Sequence, residues 1–344
     1  MRRARIALIL SVMAGALALV AAGSAVGASA HQTDKAKPKT HATPAPAAPK
    51  WVTVGIGDEQ PDMFASPEYQ ALHTKISRYV TPYDVATNHS HNDLPRLRAW
   101  LAAAARAHVQ PLIAFYHSDR TPRKMPSVKT YTADIKKFIK MFPQLKLLQP
   151  WNEANRGYVN EHGPGSYASP NAKQSAQYYL ALKSACRHCT IVGLDVLDST
   201  DVAATVNYIK EFKRDVGKRN LPTIWGLHNY SDTNRFREAG TKAVLANTSG
   251  QVWMTETGGI VKLSGDFPFS LSRQSRATAY MFKLASLSHR ITRLYIFQWT
   301  GGTTSKERFD AGLTNYKGKP RPAYCVVYEY LRHKKTCPYK TATN

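Results

Sequence analysis

The strongest constraint on the fold is a regular alternation of short β-rich runs with longer amphipathic stretches. The eight β-rich runs cover residues 51–57, 77–82, 110–116, 145–151, 190–196, 223–228, 251–255 and 293–298. Helical patterns cover 94–108, 131–141, 172–186, 202–216, 236–246, 273–287 and 322–332. Strands that alternate with helices of this length indicate βαβ units and a parallel sheet. Eight such units predict a single (β/α)8 TIM barrel over residues 51–344.

A doubly wound dinucleotide-binding fold fits the pattern less well. Such folds carry G-x-G-x-x-G directly after the first strand, where this chain has Gly55-Ile56-Gly57-Asp58 instead. The sequence also lacks a nucleophile elbow and a phosphate-binding Walker loop, which argues against acyl and phosphoryl transfer. We therefore expect neither a cofactor nor a metal.

The first fifty residues do not follow this alternation. Arg2, Arg3 and Arg5 precede an apolar run over 6–20, and Ala28-Ser29-Ala30 fits a cleavage site. This pattern predicts a secretory signal peptide over 1–30, with an uncleaved anchor as the alternative. Residues 31–50 are rich in Pro, Ala, Thr and Lys and predict a short disordered tether. We expect a secreted chain that does not bind membranes after cleavage.

The chain is strongly basic, with 47 Lys and Arg against 23 Asp and Glu and a net charge of +24. Such a charge attracts polyanions, including nucleic acid, acidic polysaccharide and an anionic cell wall, although a merely solvated basic surface is equally compatible. No zinc-finger, RNP or helix-turn-helix motif accompanies the charge, so we expect no specific nucleic-acid partner. We expect a monomer whose partner is a carbohydrate, with an anionic glycan and cell-wall association as open possibilities.

Four cysteines in an exported chain suggest disulfide bonds. Cys186 and Cys189 are close in sequence, and Cys325 and Cys337 flank the last predicted helix. Pairing within each couple is one of three possible connectivities. A zinc site formed by all four is the alternative, but the second couple lacks the usual ligand spacing.

In a barrel of this type, chemistry belongs at the carboxyl ends of the strands. The fourth strand ends in Trp151-Asn152-Glu153 and the seventh in Thr255-Glu256-Thr257-Gly258-Gly259. Each acid follows an apolar run, where a carboxylate is costly unless it has a purpose. Cleavage of a glycosidic bond needs such a pair, one carboxyl to protonate the departing oxygen and one carboxylate to act at the anomeric carbon.

Polar and aromatic side chains follow several other predicted strands: Arg78, His117, His228, Tyr230 and Trp299. A Tyr hydroxyl near Glu256 would keep that carboxylate ionised, whereas an apolar setting would raise the pKa of Glu153. The Trp299 indole would stack on a sugar ring. Asp195 and Asp198, near the end of the fifth strand, face the barrel mouth or cap the next helix, and we favour the cap.

These motifs resemble clan A of the glycoside hydrolases, the retaining (β/α)8 enzymes that include cellulases, mannanases and β-xylosidases. The resemblance covers residues 51–333 and is most specific at Trp151-Asn152-Glu153 and at 255–259. It implies that Glu153 is the general acid/base and Glu256 the nucleophile. It further implies substrate-binding or orienting roles for the residues around them: Asn152 at the sugar 2-hydroxyl, Arg78 and Tyr230 at Glu256, His117 and His228 in support, and Trp299 as the floor of the subsite.

Other residues remain open as contributors. His89, His91 and Asp93 suggest a metal site or, more simply, a polar loop with Asp93 as a helix cap. The loop over 155–170, with Arg156, Tyr158, His162 and Tyr167, lines a glycan cleft or is an ordinary solvent loop.

Candidate contacts at the predicted mouth fit two kinds of glycan. Aromatic residues suit neutral pyranosides, and basic residues suit a uronate-bearing glycan; they are Tyr83, Tyr116, Tyr158 and Trp299, and Arg120, Arg123, Lys124 and Arg156. A barrel that binds glycan without catalysis and a cell-wall adhesion protein are the rival functional classes.

Overall fold

A computed structural model describes residues 49, 51–89, 92–159, 167–302 and 307–342. The predicted signal peptide and nearly all of the predicted tether lie outside these residues. Within the described part of the chain, no helix has the length and apolar character needed to cross a membrane.

The fold is a mixed α/β arrangement of eleven strands and ten α-helices in the described residues. The strands are β1 (Thr53–Gly57), β2 (Ile76–Pro82), β3 (Gln110–Tyr116), β4 (Leu147–Gln149), β5 (Thr190–Ile191), β6 (Asp195–Leu197), β7 (Ile224–His228), β8 (Gln251–Thr257), β9 (Lys262–Leu263), β10 (Ile291–Phe297) and β11 (Phe309–Asp310). The helices are α1 (Pro67–Leu72), α2 (Asp93–Arg106), α3 (Val128–Met141), α4 (Arg156–Val159), α5 (Ala172–Ala185), α6 (Val202–Val216), α7 (Tyr230–Arg235), α8 (Ala239–Asn247), α9 (Leu271–Ala285) and α10 (Pro322–Arg332).

Nine strands form one curled parallel sheet in the order β5-β4-β3-β2-β1-β10-β8-β7-β6. The two outermost strands are halves of the single segment 190–197. Within it, the Val192 N–H donates to the Leu148 carbonyl at 3.0 Å, and the Gly193 N–H donates to the Ile224 carbonyl at 2.9 Å. The sheet is therefore compatible with a (β/α)8 barrel, with residues 190–197 spanning from β4 to β7.

The interior of the sheet is layered, because successive side chains of a strand point to opposite faces. One apolar layer takes a single residue from each of seven strand segments: Ile76, Leu112, Leu147, Val192, Ile224, Trp253 and Tyr295. Two residues further along β2, β4 and β8, the buried side chains are polar: Arg78, Gln149 and Thr255. The step from apolar to polar marks the end of the sheet at which chemistry is expected.

Buried side chains of the helical layer anchor the backbone that follows β1 and β4. The Tyr131 hydroxyl donates to the Pro150 carbonyl at 2.7 Å, and the Tyr208 hydroxyl donates to the Ala154 carbonyl at 2.9 Å. The Trp100 indole N–H donates to the Asp58 carbonyl at 2.8 Å. These bonds satisfy loop carbonyls that would otherwise be buried without a partner, so the loops are held rigidly.

The predicted elements agree with the structure apart from local differences. The fourth strand is shorter, the fifth is divided into β5 and β6, and α1 and α7 were not predicted. Asp93 was predicted as the cap of α2, but the cap position is Asn92 and Asp93 is the first helical residue. Its carboxylate instead lies 3.8 Å from the Arg96 guanidinium.

Both local cysteine pairings are confirmed. Disulfides join Cys186 to Cys189 and Cys325 to Cys337. The alternative of a zinc site is wrong, because thiols tied up in disulfides cannot act as thiolate ligands.

Candidate active site

The structure brings six of the eight predicted site residues together at the carboxyl ends of the strands. All six are buried: Arg78, Asn152, Glu153, His228, Tyr230 and Glu256. They come from β2, from the segment after β4, from β7 and the turn into α7, and from β8. Residues separated by as many as 178 positions in sequence thus share one small polar cluster.

Glu256 lies near the end of β8 and accepts hydrogen bonds on both carboxylate oxygens. Arg78 Nη1 donates to Oε2 at 2.9 Å, and the Tyr230 hydroxyl donates to Oε1 at 3.1 Å. Arg78 Nη2 also donates to Asn152 Oδ1 at 2.5 Å. The carboxylate is therefore oriented by two donors that are themselves fixed, an arrangement that positions it without help from substrate.

Glu153 is held in an unusual backbone conformation. Its φ is 46°, in the left-handed region, which costs a non-glycine residue about 1 kcal/mol or more. Its N–H donates to Asp195 Oδ2 at 3.0 Å. The carboxylate meets two cationic groups, since Arg156 Nη1 donates to Oε2 at 2.8 Å and His228 Nδ1 lies 3.1 Å from Oε1.

The two glutamates approach each other closely. One carboxylate oxygen of Glu153, one of Glu256 and one ring nitrogen of His228 all lie within 4.8 Å of one another. Three such ligands could surround a metal ion on geometry alone. Because the Arg78 and Arg156 guanidinium groups contact the same carboxylates, a cation there would meet strong repulsion.

The electrostatic environments of the two carboxyls differ. Burial raises the pKa of Glu153, but Arg156 and His228 outweigh it, so the net pKa lies below its usual value. Burial also raises the pKa of Glu256, and His228 and Arg78 offset only part of that rise. The prediction of an apolar setting that raises the pKa of Glu153 is therefore wrong, because the side chain is ion-paired.

His228 lies at the centre of the cluster as a charged group. Its Nε2 lies 2.9 Å from Asp195 Oδ2, on the side opposite Glu153. Burial lowers the pKa of His228, but the Asp195 and Glu256 carboxylates raise it further, to about 10. The ring is therefore an imidazolium at neutral pH, and it screens three buried carboxylates from one another.

The charge on His228 predicts how stability depends on pH. Its folded pKa of about 10 exceeds the ordinary 6.5, so its contribution is complete below pH 6.5 and is lost as pH rises through 10. We expect the free energy of unfolding of the wild type to exceed that of His228→Gln by an amount that shrinks between pH 7 and pH 10. Urea unfolding of both proteins across this range measures it. A difference that is independent of pH would contradict a charged His228.

Asp195 is a site residue that the sequence interpretation misassigned. The expected cap role is wrong, because Asp201 caps α6 by accepting from the Ala204 N–H at 3.0 Å. Asp195 lies in β6, fully buried, and accepts a hydrogen bond from the Thr255 hydroxyl. Gly226 makes room for it, since a Cβ there would lie 2.3 Å from Asp195 Oδ1.

Asp198 does act as a cap, but of a different helix from the one expected. Its two carboxylate oxygens accept from the Ser231 N–H at 2.8 Å and the Asp232 N–H at 2.7 Å. These amides begin α7, which follows the next strand. Asp198 therefore fixes the turn on which Tyr230 is carried toward Glu256.

His117 and Trp299 are not part of this cluster. His117 stacks on Tyr167 with ring centroids 4.1 Å apart, and burial lowers its pKa to about 4. The Trp299 ring packs edge-on against Tyr69 at 5.5 Å and Tyr324 at 6.0 Å. The structure thus has the Trp299 indole in the hydrophobic layer beneath the helices.

The aromatic groups beside Glu256 are different residues. Tyr230 packs on Phe309 with ring centroids 5.9 Å apart, and Phe309 packs on Phe297 at 6.3 Å. Phe297 continues the interior phase of Tyr295 on β10, a signal that sequence phase alone could have supplied.

The remaining candidates divide between the described and undescribed parts of the chain. Arg156 joins the cluster through Glu153, and Tyr116 lies behind it with its hydroxyl 3.5 Å from Arg156 Nη1. Tyr83 packs in the core, stacked on Trp151 at 6.3 Å. His91, His162 and the Tyr158 side chain lie outside the described residues.

Comparisons with known proteins connect this architecture to carbohydrate enzymes. No family model and no curated protein matches the sequence. Three solved structures that resemble the chain are a xylanase 10B from Thermotoga petrophila in complex with xylobiose, a GH5_18 protein from Streptomyces cattleya in complex with GlcNAc, and the intracellular xylanase TsXylA from Thermoanaerobacterium saccharolyticum.

All three likenesses extend over most of both chains. The first has TM-score 0.58 at 14% identity, covering 82% of this chain and 94% of that one. The second has 0.58 at 11%, covering 84% and 82%, and the third has 0.59 at 12%, covering 83% and 99%. At these identities the likeness establishes a shared fold, with the curled parallel sheet as the common element.

Proposed function

We propose that the chain is a secreted retaining glycoside hydrolase that cleaves β-linked oligosaccharides or polysaccharides. The observation that carries the proposal is the pairing of Glu153 with Glu256, whose carboxylate oxygens approach within 4.8 Å at the carboxyl end of the sheet. Retaining glycosidases hold their two carboxyls about 5–5.5 Å apart, whereas inverting enzymes need about 6.5–9.5 Å to admit a water. The fold shared with xylanases supports the same reaction class.

In the first step, Glu256 attacks the anomeric carbon. A bond forms between its carboxylate oxygen and that carbon, while the bond from the carbon to the leaving-group oxygen breaks. Glu153 supplies the proton that the leaving group takes away. Arg78 and Tyr230 hold the attacking carboxylate in place, which lowers the entropic part of the barrier.

In the second step, the glycosyl-enzyme is hydrolysed. Glu153, now ionised, removes a proton from a water molecule, whose oxygen attacks the anomeric carbon from the side that the leaving group vacated. The bond to Glu256 breaks, and the sugar leaves with its original anomeric configuration. Asn152, fixed by Arg78 beside Glu153, is placed to bind the sugar 2-hydroxyl.

The remaining parts of the proposal concern substrate and location. The aromatic row formed by Tyr230, Phe297 and Phe309 offers apolar surface for a pyranose next to Glu256. Secretion rests on the signal-like residues 1–30 and on the two disulfides, which suit an oxidising compartment. We propose that residues 51–344 form the enzyme and that 31–50 tether it.

A substrate panel read by NMR tests the proposal. We expect hydrolysis of aryl β-glycosides or β-linked oligosaccharides, with the β anomer as the first product seen before mutarotation. An α anomer as the first product would contradict the double displacement. Binding of glycans with no hydrolysis across the panel would favour a non-catalytic barrel instead.

A further inference from the structure

We propose that the leaving-group side of this site accepts an acidic sugar, and that the sugar carboxylate takes the place of Glu153 as the partner of Arg156. This inference rests on the proposed function, because it concerns how Glu153 becomes a proton donor. Its substrate class is a β-linked glycan with a uronate directly on the leaving-group side of the cleaved bond.

Both oxygens of Glu153 are occupied in the unliganded site. Oε2 accepts from Arg156 at 2.8 Å, and Oε1 faces the His228 ring at 3.1 Å. A carboxyl group must have a proton on one oxygen to act as a general acid. While two cationic groups face both oxygens, neither oxygen can carry that proton without losing a strong ion pair.

Of the two cationic groups, Arg156 is the one that can withdraw. His228 belongs to β7, is fully buried, and has Asp195 at 2.9 Å behind it. Arg156 begins the short helix α4 and has a relative exposure of 7%, on a long side chain with several rotatable bonds. A one-bond change in that side chain is far easier than a movement of the strand.

Withdrawal of Arg156 needs a new anion. A guanidinium left buried without a partner is strongly unfavourable, so the arginine stays on Glu153 until another carboxylate reaches it. A neutral sugar cannot provide this exchange, whereas a uronate can accept two parallel N–H groups from the guanidinium. Once Arg156 has exchanged partners, Glu153 faces only His228 and can take up a proton.

The rim on this side is also basic. Arg120, Arg123 and Lys124 are exposed on the loop between β3 and α3. The Ala168 N–H donates to the Pro122 carbonyl at 2.8 Å, which ties this loop to the chain segment leading into α5. Asp119 lies on the same loop, 3.8 Å from His117, so the loop remains cationic overall. A polyanionic glycan would be attracted to this rim.

The test compares three substrates that differ at one position. All have the same sugar on the Glu256 side, and the leaving-group residue is glucuronic acid, its methyl ester or glucose. For the wild type we expect kcat/KM for the glucuronic acid substrate to exceed that for the ester and for glucose by about tenfold or more. For Arg156→Gln we expect the three values to converge, with hydrolysis of the glucose substrate retained. Arg214→Gln, which removes the same charge from the exposed end of α6, should behave like the wild type.

The outcomes separate this inference from the proposed function. If the wild type hydrolyses the glucose substrate with retention but does not prefer the acid over its ester, the inference is overturned and the proposed function stands. Equal acid preference in wild type and Arg156→Gln also overturns it. If none of the three substrates is hydrolysed while aryl glycosides are, the acid-specific assignment fails; if nothing is hydrolysed, the proposed function fails. Should Arg156→Gln not fold, the comparison of acid with ester in the wild type decides.

Discussion

Replacing Glu256 with alanine should reduce kcat on any hydrolysed glycoside by about 10⁴-fold or more, because no other group near the anomeric carbon can form the covalent intermediate. The loss should be in kcat for good and poor leaving groups alike. Added azide should restore part of the activity by attacking from the vacated side. The product of that reaction is a glycosyl azide with inverted configuration, which NMR identifies.

A matched control comes from the surface of the same protein. Glu238 pairs with Lys242 and Lys283 on helices α8 and α9, away from the cluster. Glu238→Ala removes a carboxylate of the same type and should retain wild-type kcat. Thermal unfolding of each variant checks that the fold persists. Full activity in Glu256→Ala, or equal losses in the two variants, would contradict the role of Glu256.

Replacing Glu153 with glutamine should produce a loss that depends on the leaving group. For an oligosaccharide, whose leaving group needs a proton, kcat/KM should fall by about 10²- to 10⁴-fold. For a dinitrophenyl glycoside, whose leaving group departs as a stable anion, the first step should be nearly unchanged. Azide should then accelerate release of the glycosyl-enzyme and give a product of retained configuration.

The leaving-group series also distinguishes the two glutamates. A plot of log kcat/KM against leaving-group pKa should be steeper for Glu153→Gln than for the wild type. Parallel plots would mean that Glu153 only supports the structure or binds substrate. A slope change in Glu256→Ala instead would reverse the two roles.

The sequence was informative wherever a strand could be recognised by its alternation. Glu153, Glu256, His228 and Arg78 converge because the carboxyl ends of parallel strands share one edge, so strand ends alone predict their proximity. Tyr230 was found for a similar reason, although it begins α7 rather than extending β7.

The errors came from side-chain direction, which strand boundaries do not specify. Trp299 is two residues beyond the last residue of β10, and once the strand ends its alternation no longer predicts which way a ring points. Asp195 lies after an interruption in the fifth strand, so its inward orientation depends on the space left by Gly226. Arg156 reaches Glu153 only because the chain turns through a positive φ at residue 153.

The most direct test of the central claim is to trap the covalent intermediate. The protein is treated with a 2-deoxy-2-fluoro glycoside carrying an activated leaving group, which slows release of the sugar, and is then digested with trypsin. Peptide 243–262 contains Glu256 as its only acidic residue, and peptide 147–156 contains Glu153 as its only acidic residue. Mass spectrometry should find one glycosyl adduct, on 243–262. An adduct on 147–156, or inactivation without any adduct, would contradict Glu256 as the nucleophile.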